Sequence, residues 1–492
     1  MAQLKLVTNV AKFRQVCQPF QRGSNELSIN SDQQENTDEL LELECPPSPI
    51  RSSFIPTVRL PWFSPQSTLV ARLAEGFRLH GDVVQLSGIP MHRIFCFRHP
   101  EHIKQIYTHE SIGTMKLPSL LPKVQWIMGH GTFIHPGGED WRRRRRMVEP
   151  GLTRAASLEL ARLVPEATLK ALERWQTFAA KGEPIEIHRE MGRLIIDITL
   201  KCLFSENVGD KLDEVHEQTE FLLKAFASVL PVQLPLIENY RFRSVARKIQ
   251  AFMHQLIEKR LKSQDRPVDV LTLLLSEDKK TGKPWSIQEV QDEMFSLFFG
   301  ASIMKIPLAW ACYRLSLHPH IQDKLTAEVK DVLAGRVPIP ADLEHLPYSE
   351  MVFKETTRLY PPVWGFPRYA NQEVQIANYT LPANTLLFPI GYFAHRHPEF
   401  WDNPEVFDPE RFHPERAVKI HPFAHYPFGG GPRMCLGRNL APIICRLILV
   451  MLAQRFSLTF VPRSPDDPQL NFSFELGPKN GIWLILREKS SI

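Results

Sequence analysis

The 492-residue sequence has no C-x-x-C pair among its seven cysteines, Cys17, Cys45, Cys96, Cys202, Cys312, Cys435 and Cys445. So odd and scattered a set argues against a disulfide framework and a structural zinc site, and it suits a reducing compartment. The opening MAQLKLVTNVAKFRQVCQPF lacks the apolar stretch of a secretory signal, and no run of about 18 apolar residues is read along the chain. The expectation is a cytoplasmic protein without a transmembrane anchor. The apolar segment 227–237 reads first as a buried or half-buried connector, with a peripheral membrane contact as the alternative. Neither an internal repeat nor a G-x-G-x-x-G after a strand-like run is present, so a repeat array and a built-in nucleotide-binding domain are not expected. No threonine stands between residues 286 and 320.

What is present describes a folded protein. Hydrophobic residues make up 43% and charged residues 23%, close to globular averages, which excludes disorder or a coiled coil for the whole. Lys+Arg 59 against Asp+Glu 54 leaves +5, too weak to argue for nucleic acid. Proline, 41 residues, is enriched and concentrates between residues 337 and 432, where long ordered loops are expected. Residues 1–50 read as a flexible polar leader, and 51–492 as one folded unit. The runs DVVQLSG and HRIFCFRHP predict a hairpin. Helical periods dominate from Trp141 to about Leu317. Ser286 and Glu289 form a capping box, starting a helix of about 30 residues that ends at His318-Pro319 and must cross the core. The fold class is mainly α, a large helical domain with a smaller β-rich part.

Cys435 stands out by its surroundings. Glycines and a proline forbid regular structure just before it, and an apolar helical run begins just after it. A helix start favours thiolate, so the sulfur is expected to act as an anionic ligand. Cys445, by contrast, reads as a small buried hydrophobe. The segment from Phe428 to Gly437, FGGGPRMCLG, fits F-x-x-G-x-R-x-C-x-G at every fixed position; Glu355 and Arg358 form E-x-x-R, and Arg411 lies in FDPERF. In these motifs and their order the sequence resembles the cytochrome P450 family, as a soluble, bacterial-type member.

The resemblance covers roughly residues 55 to 490 and implies a cytochrome P450 fold around heme b (iron protoporphyrin IX), with Cys435 as the iron's thiolate ligand. It implies a structural role for Glu355, Arg358 and Arg411, since buried charge survives only when paired. Trp141 and Arg145, i and i+4 in the five-arginine run 142–146, match W-x-x-x-R and would bind a heme propionate, with Arg368 and Arg433. For Arg142, Arg143 and Arg146, a solvated stripe and a docking surface for an acidic electron-transfer protein stand equally open. Nucleic acid is not an expected partner.

One part of the family pattern is missing. The long helix should carry an acid and an alcohol that manage protons during O2 cleavage; here Gly300 takes the family glycine, Ser302 the acid position and Ile303 the alcohol position. These three are the candidate catalytic residues. Pro307 lacks an N–H and predicts a kink, with the freed Ile303 carbonyl holding a water in one reading and simple bending in the other. Lys305 either snorkels to solvent or enters the pocket to meet an acidic substrate group. The leading expectation is a heme-thiolate monooxygenase acting on a small apolar, lipid- or terpenoid-like molecule, with electrons from a separate ferredoxin or flavoprotein. The alternative is a hydroperoxide-using peroxygenase or isomerase of the same fold.

Overall fold

The computed structural model describes residues 55–59, 66–87, 93–109, 112–113, 122–226, 236–264, 266–278, 280 and 282–489. The expected leader and nearly all of the connector 227–237 lie outside the described residues. The hairpin forms as its β-branched and aromatic residues require. β2 (Val83–Ser87) runs antiparallel to β3 (Arg93–Phe97), with Val83 opposite Phe97 and Leu86 opposite Ile94. With β1 (Thr57–Arg59), β4 (Ile112–Gly113), β5 (Arg368–Ala370) and β6 (Thr385–Pro389) they make one sheet in the order β1-β2-β3-β6-β5-β4. β3 and β6 pair in parallel, Phe95 opposite Leu387, so the helices from α1 to α6 are inserted between two neighbouring strands while α7 follows them. A second hairpin, β7 (Leu470–Phe472) and β8 (Leu476–Pro478), stands apart from that sheet.

The helices that position the site are α1 (Gly138–Val148), α2 (Ile187–Phe204), α3 (Leu212–Phe226), α4 (Ile287–Ser302), α5 (Lys305–Leu317), α6 (Pro347–Leu359) and α7 (Leu440–Arg455). α2 and α7 are buried on nearly every face, as helices at the centre of a large core are. The capping box forms: Ser286 Oγ accepts from Glu289 N at 3.3 Å and Glu289 Oε2 accepts from Ser286 N at 2.9 Å. The single long helix expected after it is interrupted. At Ile303 and Met304 the chain takes one tighter turn, Met304 N–H bonding Ala301 O and Ile306 N–H bonding Ile303 O, each at 3.0 Å. Pro307 then occupies the first turn of α5, where an N–H has no intrahelical acceptor to lose. The bend therefore falls one turn before the proline, and the Ile303 carbonyl, expected to be free, is already bonded.

Ile287–Leu317 corrects the expectation that no stretch is apolar enough to cross a bilayer: by length and composition it is, but 78% of its apolar window is buried inside the fold, as for a central core helix. Trp310 on α5 stacks on Tyr360 at 4.1 Å and donates from Nε1 to Leu476 O at 3.0 Å, tying the helix to the end of α6 and to β8. Below it, Glu355 and Arg358 of α6 are both wholly buried and joined by two bonds, 2.7 and 2.8 Å. Arg358 also donates to the carbonyls of His395, Pro404 and Val406, and Arg411 Nε lies 3.4 Å from Glu355 Oε1. The motif residues thus clamp the Pro-rich loops beneath the cysteine, each charge meeting a charge or a carbonyl.

Candidate functional site

Cys435 ends a loop that folds back on itself. Its N–H donates to Phe428 O at 2.9 Å, and Met434 N–H donates to Gly431 O at 3.0 Å. Gly431 makes the turn possible: its φ is +66°, and a Cβ there would lie 2.0 Å from Tyr107 O. After Cys435 comes one tight turn, Leu436–Arg438, and then α7. Cys435 is accessible, yet densely surrounded by the atoms of its loop. Burial pushes its thiol up, while the Gly437 N–H, Arg145 and Arg438 pull it back down. The net direction is opposite to that expected from a helix start alone, because desolvation of an anion outweighs the helix end. The other described cysteines, Cys96, Cys202, Cys312 and Cys445, are free and buried.

Beside this loop the fold gathers positive charge. Arg433 lies over the Trp141 ring, its guanidinium carbon 4.3 Å from the ring centre, and Arg145 reaches the same ring at 5.9 Å. Arg368, buried at the start of β5, lies over Tyr107 at 4.5 Å. Burial, then the neighbouring charges of Arg368 and Arg145, drive Arg433 down to about 9. Arg433 Nε and Nη2 are buried without a hydrogen-bond partner among the described residues. The nearest acid to Arg145 is Glu149, at 3.9 Å. Guanidinium groups crowded together without carboxylates are costly unless an anion joins them.

On the α4 side, Gly300 is exposed, and an added Cβ would meet no atom within 4 Å. Ser302 is buried and returns its hydroxyl to its own helix, Oγ donating to Phe299 O at 2.8 Å. Ile303 lies in the break between α4 and α5. Phenylalanines from five separate segments meet edge to face nearby: Phe226 with Phe299 at 5.1 Å, Phe226 with Phe474 at 5.8 Å, Phe474 with Phe133 at 6.2 Å and Phe133 with Phe366 at 5.7 Å.

The cytochrome P450 family model matches residues 47–485. The chain belongs to the cytochrome P450 family. Cyclooctatin synthase of Streptomyces melanosporofaciens is 30% identical to it over 81% of this chain and 88% of the relative. Cyclooctat-9-en-7-ol 5-monooxygenase of the same organism is 29% identical over 78% and 84%. The crystal structure of the cytochrome P450DA heme domain superposes with a TM-score of 0.79 at 22% identity, covering 89% of this chain and 98% of that one, and so shares the fold.

This P450 is an oxidoreductase of the monooxygenase type that binds heme iron, and the residues present suit that group. A metal held by a macrocycle and one axial sulfur needs no cluster of protein ligands, and among the described residues no group of three His, Cys, Asp or Glu is placed to hold a metal. The unpaired atoms of Arg433 and the acid-free setting of Arg368 match a ligand bearing two carboxylates. Replacing Arg433 by Gln, which removes one guanidinium fork while leaving the loop hydrogen bonds intact, should weaken heme retention about 10–100-fold. The rate of heme transfer to a scavenger protein measures it, and an unchanged rate would contradict the assignment.

The structure also brings in residues that sequence reasoning did not single out. Arg144, in the middle of the arginine run, is buried, unlike Arg142 and Arg146, and bonds Asp140 at 3.0 Å, with Glu289 and Glu293 each at 3.5 Å. Its place three residues after Trp141, on the inward side of α1, was the available signal. Lys305 follows neither expected course. It is wholly buried, paired with Glu220 of α3 and, at 3.0 Å, with Glu475 of the β7–β8 turn.

Proposed function

We propose that this P450 binds heme b and uses O2 to oxidise a small apolar, terpenoid- or lipid-like molecule, with electrons from a separate ferredoxin or flavoprotein in the cytoplasm. The observation that carries this reading is the phenylalanine assembly contributed by Phe133, Phe226, Phe299, Phe366 and Phe474. Five rings from five segments offer shape and apolar area with little to bond a sugar or a charge. The names of the two Streptomyces relatives agree, one being a 5-monooxygenase of an unsaturated alcohol.

The chain's residues divide the work. Cys435 would supply the sulfur ligand of the heme iron, and the Phe428 carbonyl fixes its backbone. Arg145, Arg368 and Arg433, with Trp141, orient the two carboxylates of the cofactor. When bound, the heme supplies dioxygen reduction and substrate oxidation, the thiolate pushing electron density to favour O–O cleavage. The phenylalanines hold the substrate and exclude water.

A basic cleft of about 490 Å³ opens beside the cysteine loop, lined by Arg142, Arg145, Arg146 and Arg438 with Gly431 and Met434. It suits an acidic electron donor, the second of the two readings left open for the arginine run. Reversing Arg142 and Arg146 to Glu should slow reduction by an acidic ferredoxin about tenfold at low salt, with the difference fading as salt rises. Stopped-flow reduction across ionic strength checks it; a difference that salt does not touch would refute docking there.

The hydroperoxide reading has its own support, since Ser302 turns its hydroxyl into the helix and Ile303 has none to offer. The deciding assay gives the purified protein NAD(P)H with surrogate electron donors, and in parallel a lipid hydroperoxide alone. Turnover with O2 and reductant supports the first reading, whereas turnover only with the peroxide replaces it.

A further inference from the structure

The α4 face that leads to Gly300 carries two buried polar atoms, Glu293 Oε2 and Ser296 Oγ, that neither the Arg143–Arg144 ion network nor the sulfur site uses. At about 100° per residue, positions 289, 293, 296 and 300 fall within one sector of roughly 60°. Glu289 at the outer end reaches solvent, Glu293 is wholly buried, Ser296 is nearly so, and Gly300 is open. One oxygen of Glu293 is fixed: Oε1 accepts from Thr132 N and Oγ1, both at 2.8 Å, with Arg144 Nη1 at 3.5 Å. The other oxygen, Oε2, is buried with no hydrogen-bond partner among the described residues, and so is Ser296 Oγ one turn further on. Gly131 accommodates that hydroxyl, since a Cβ there would lie 2.0 Å from Ser296 Oγ. Two unpaired buried polar atoms in line are costly, and a transient proton-carrying partner accounts for both.

We propose that Glu293 and Ser296 relay protons along α4 to the reaction cavity at Gly300, in place of the acid and alcohol that positions 302 and 303 do not supply. The relay deepens the O2-dependent reading above and rests on it. A proton leaves Glu293 Oε2 through one bridging water to Ser296 Oγ, while the hydroxyl's own proton passes to a second water toward Gly300, about 6 Å further along the axis. The Glu293 carboxylate is then reprotonated from solvent at the Glu289 end. Each turnover consumes one O2, two protons and two electrons from the ferredoxin or flavoprotein; one oxygen atom enters the substrate and the other leaves as water. Burial raises the Glu293 carboxyl to about 7 while Thr132 and Arg144 pull it back, so both protonation states are populated near neutrality. The charges around it are Arg144 and, beyond, Arg143 and Asp140 of α1, with Glu289 and Asp292 on α4 itself.

The test uses the heme-loaded full chain with surrogate electron donors. Glu293→Gln keeps an oxygen for Thr132 but loses the transferable proton, and Ser296→Ala loses the hydroxyl. In both, product formed per NAD(P)H consumed should fall at least about tenfold as electrons divert to hydrogen peroxide. Glu293→Asp should recover part of the loss, and the inflection of the pH profile near 7 should vanish in Glu293→Gln. Infrared spectroscopy gives a readout apart from turnover: the wild type should show the C=O stretch of a protonated carboxyl that titrates near neutrality and is missing from Glu293→Gln. Unchanged coupling in both variants, or a carboxyl band that Glu293→Gln retains, overturns the relay and leaves the monooxygenase reading standing. A wild type productive only with hydroperoxide overturns that reading and the relay with it. Should Glu293→Gln fail to fold, Ser296→Ala, whose side chain makes no hydrogen bond, decides the matter.

Discussion

Replacing Lys305 by methionine should destabilise this P450 by about 3–5 kcal/mol, the usual cost of breaking a buried ion pair from one side. The methionine fills the space of the lysine stem but leaves Glu220 and Glu475 facing each other at the junction of α3, α5 and the β7–β8 turn. The two neighbouring histidines do not replace the lost ion pair: His188 and His216 are held neutral, with pKa values lowered to about 3 and about 4, chiefly by burial, and Lys224 acts on Glu475 more weakly than Lys305 does. The two carboxyls differ although they share one lysine. Glu475 is raised, burial outweighing Lys305 and the like charge of Glu220 adding to it, whereas for Glu220 burial pushes up but Lys305, with His188 and His216, brings the net shift down. The sign of the pH dependence follows. The lowered Glu220 contributes stability that is present above its unfolded pKa and lost as pH falls, and in the variant this contribution disappears. The deficit should therefore be largest at pH 7–8 and shrink toward pH 5, as the two stranded acids protonate. Denaturant unfolding of wild type and variant at both pH values measures it. Replacing Lys305, Glu220 and Glu475 together by apolar residues of similar size should recover most of the loss; an unchanged midpoint in the single variant would show that the cluster contributes nothing.

The same cluster shows where legibility in the sequence ends. A lysine on an apolar helix announces burial or a special contact, but its partners come from α3 and from a turn far along the chain, and no periodicity connects them. The cysteine loop, Trp141 with Arg145, and Glu355 with Arg358 were readable because each acts within a single loop or a single helix, where spacing fixes geometry. Arg144 was half hidden by its neighbours: in a run of five arginines only the phase from Trp141 marks it as inward, and its partners Glu289 and Glu293 come from α4, far along the chain. Pro307 signalled a disturbed helix but not its position, because a proline sits more comfortably in a first turn than at the bend itself. For Cys435, the helix end alone leaves out burial, which pushes the unliganded thiol up, since sequence carries no measure of how densely the sulfur will be surrounded. The relay line was half visible: Asp292 and Glu293 were the nearest acids to Ser302, but their distance along the chain argued against them until the α4 face was seen to run unbroken to Gly300.

Replacing Cys435 by serine should abolish thiolate ligation while leaving the protein folded, whereas replacing Cys445 by serine should cost stability and leave ligation intact. The loop around residue 435 is held by backbone bonds, Cys435 N–H to Phe428 O and Met434 N–H to Gly431 O, which a serine keeps. Arg145, Arg368 and Arg433 would still attract the carboxylates of the cofactor, so part of the heme is retained. A serine hydroxyl, however, does not ionise as a thiol does near neutrality and cannot supply a soft anionic ligand. The Soret spectrum should therefore change, and turnover should fall by more than the roughly 10–100-fold that a supporting residue costs. Cys445 is buried among the apolar side chains of α7, and its thiol is pushed up by burial alone. A hydroxyl there should cost about 1–3 kcal/mol of stability and leave the spectrum untouched. The pair separates ligation from folding: if Cys435→Ser kept the wild-type spectrum, the sulfur would not be the iron's ligand, however well the protein folded.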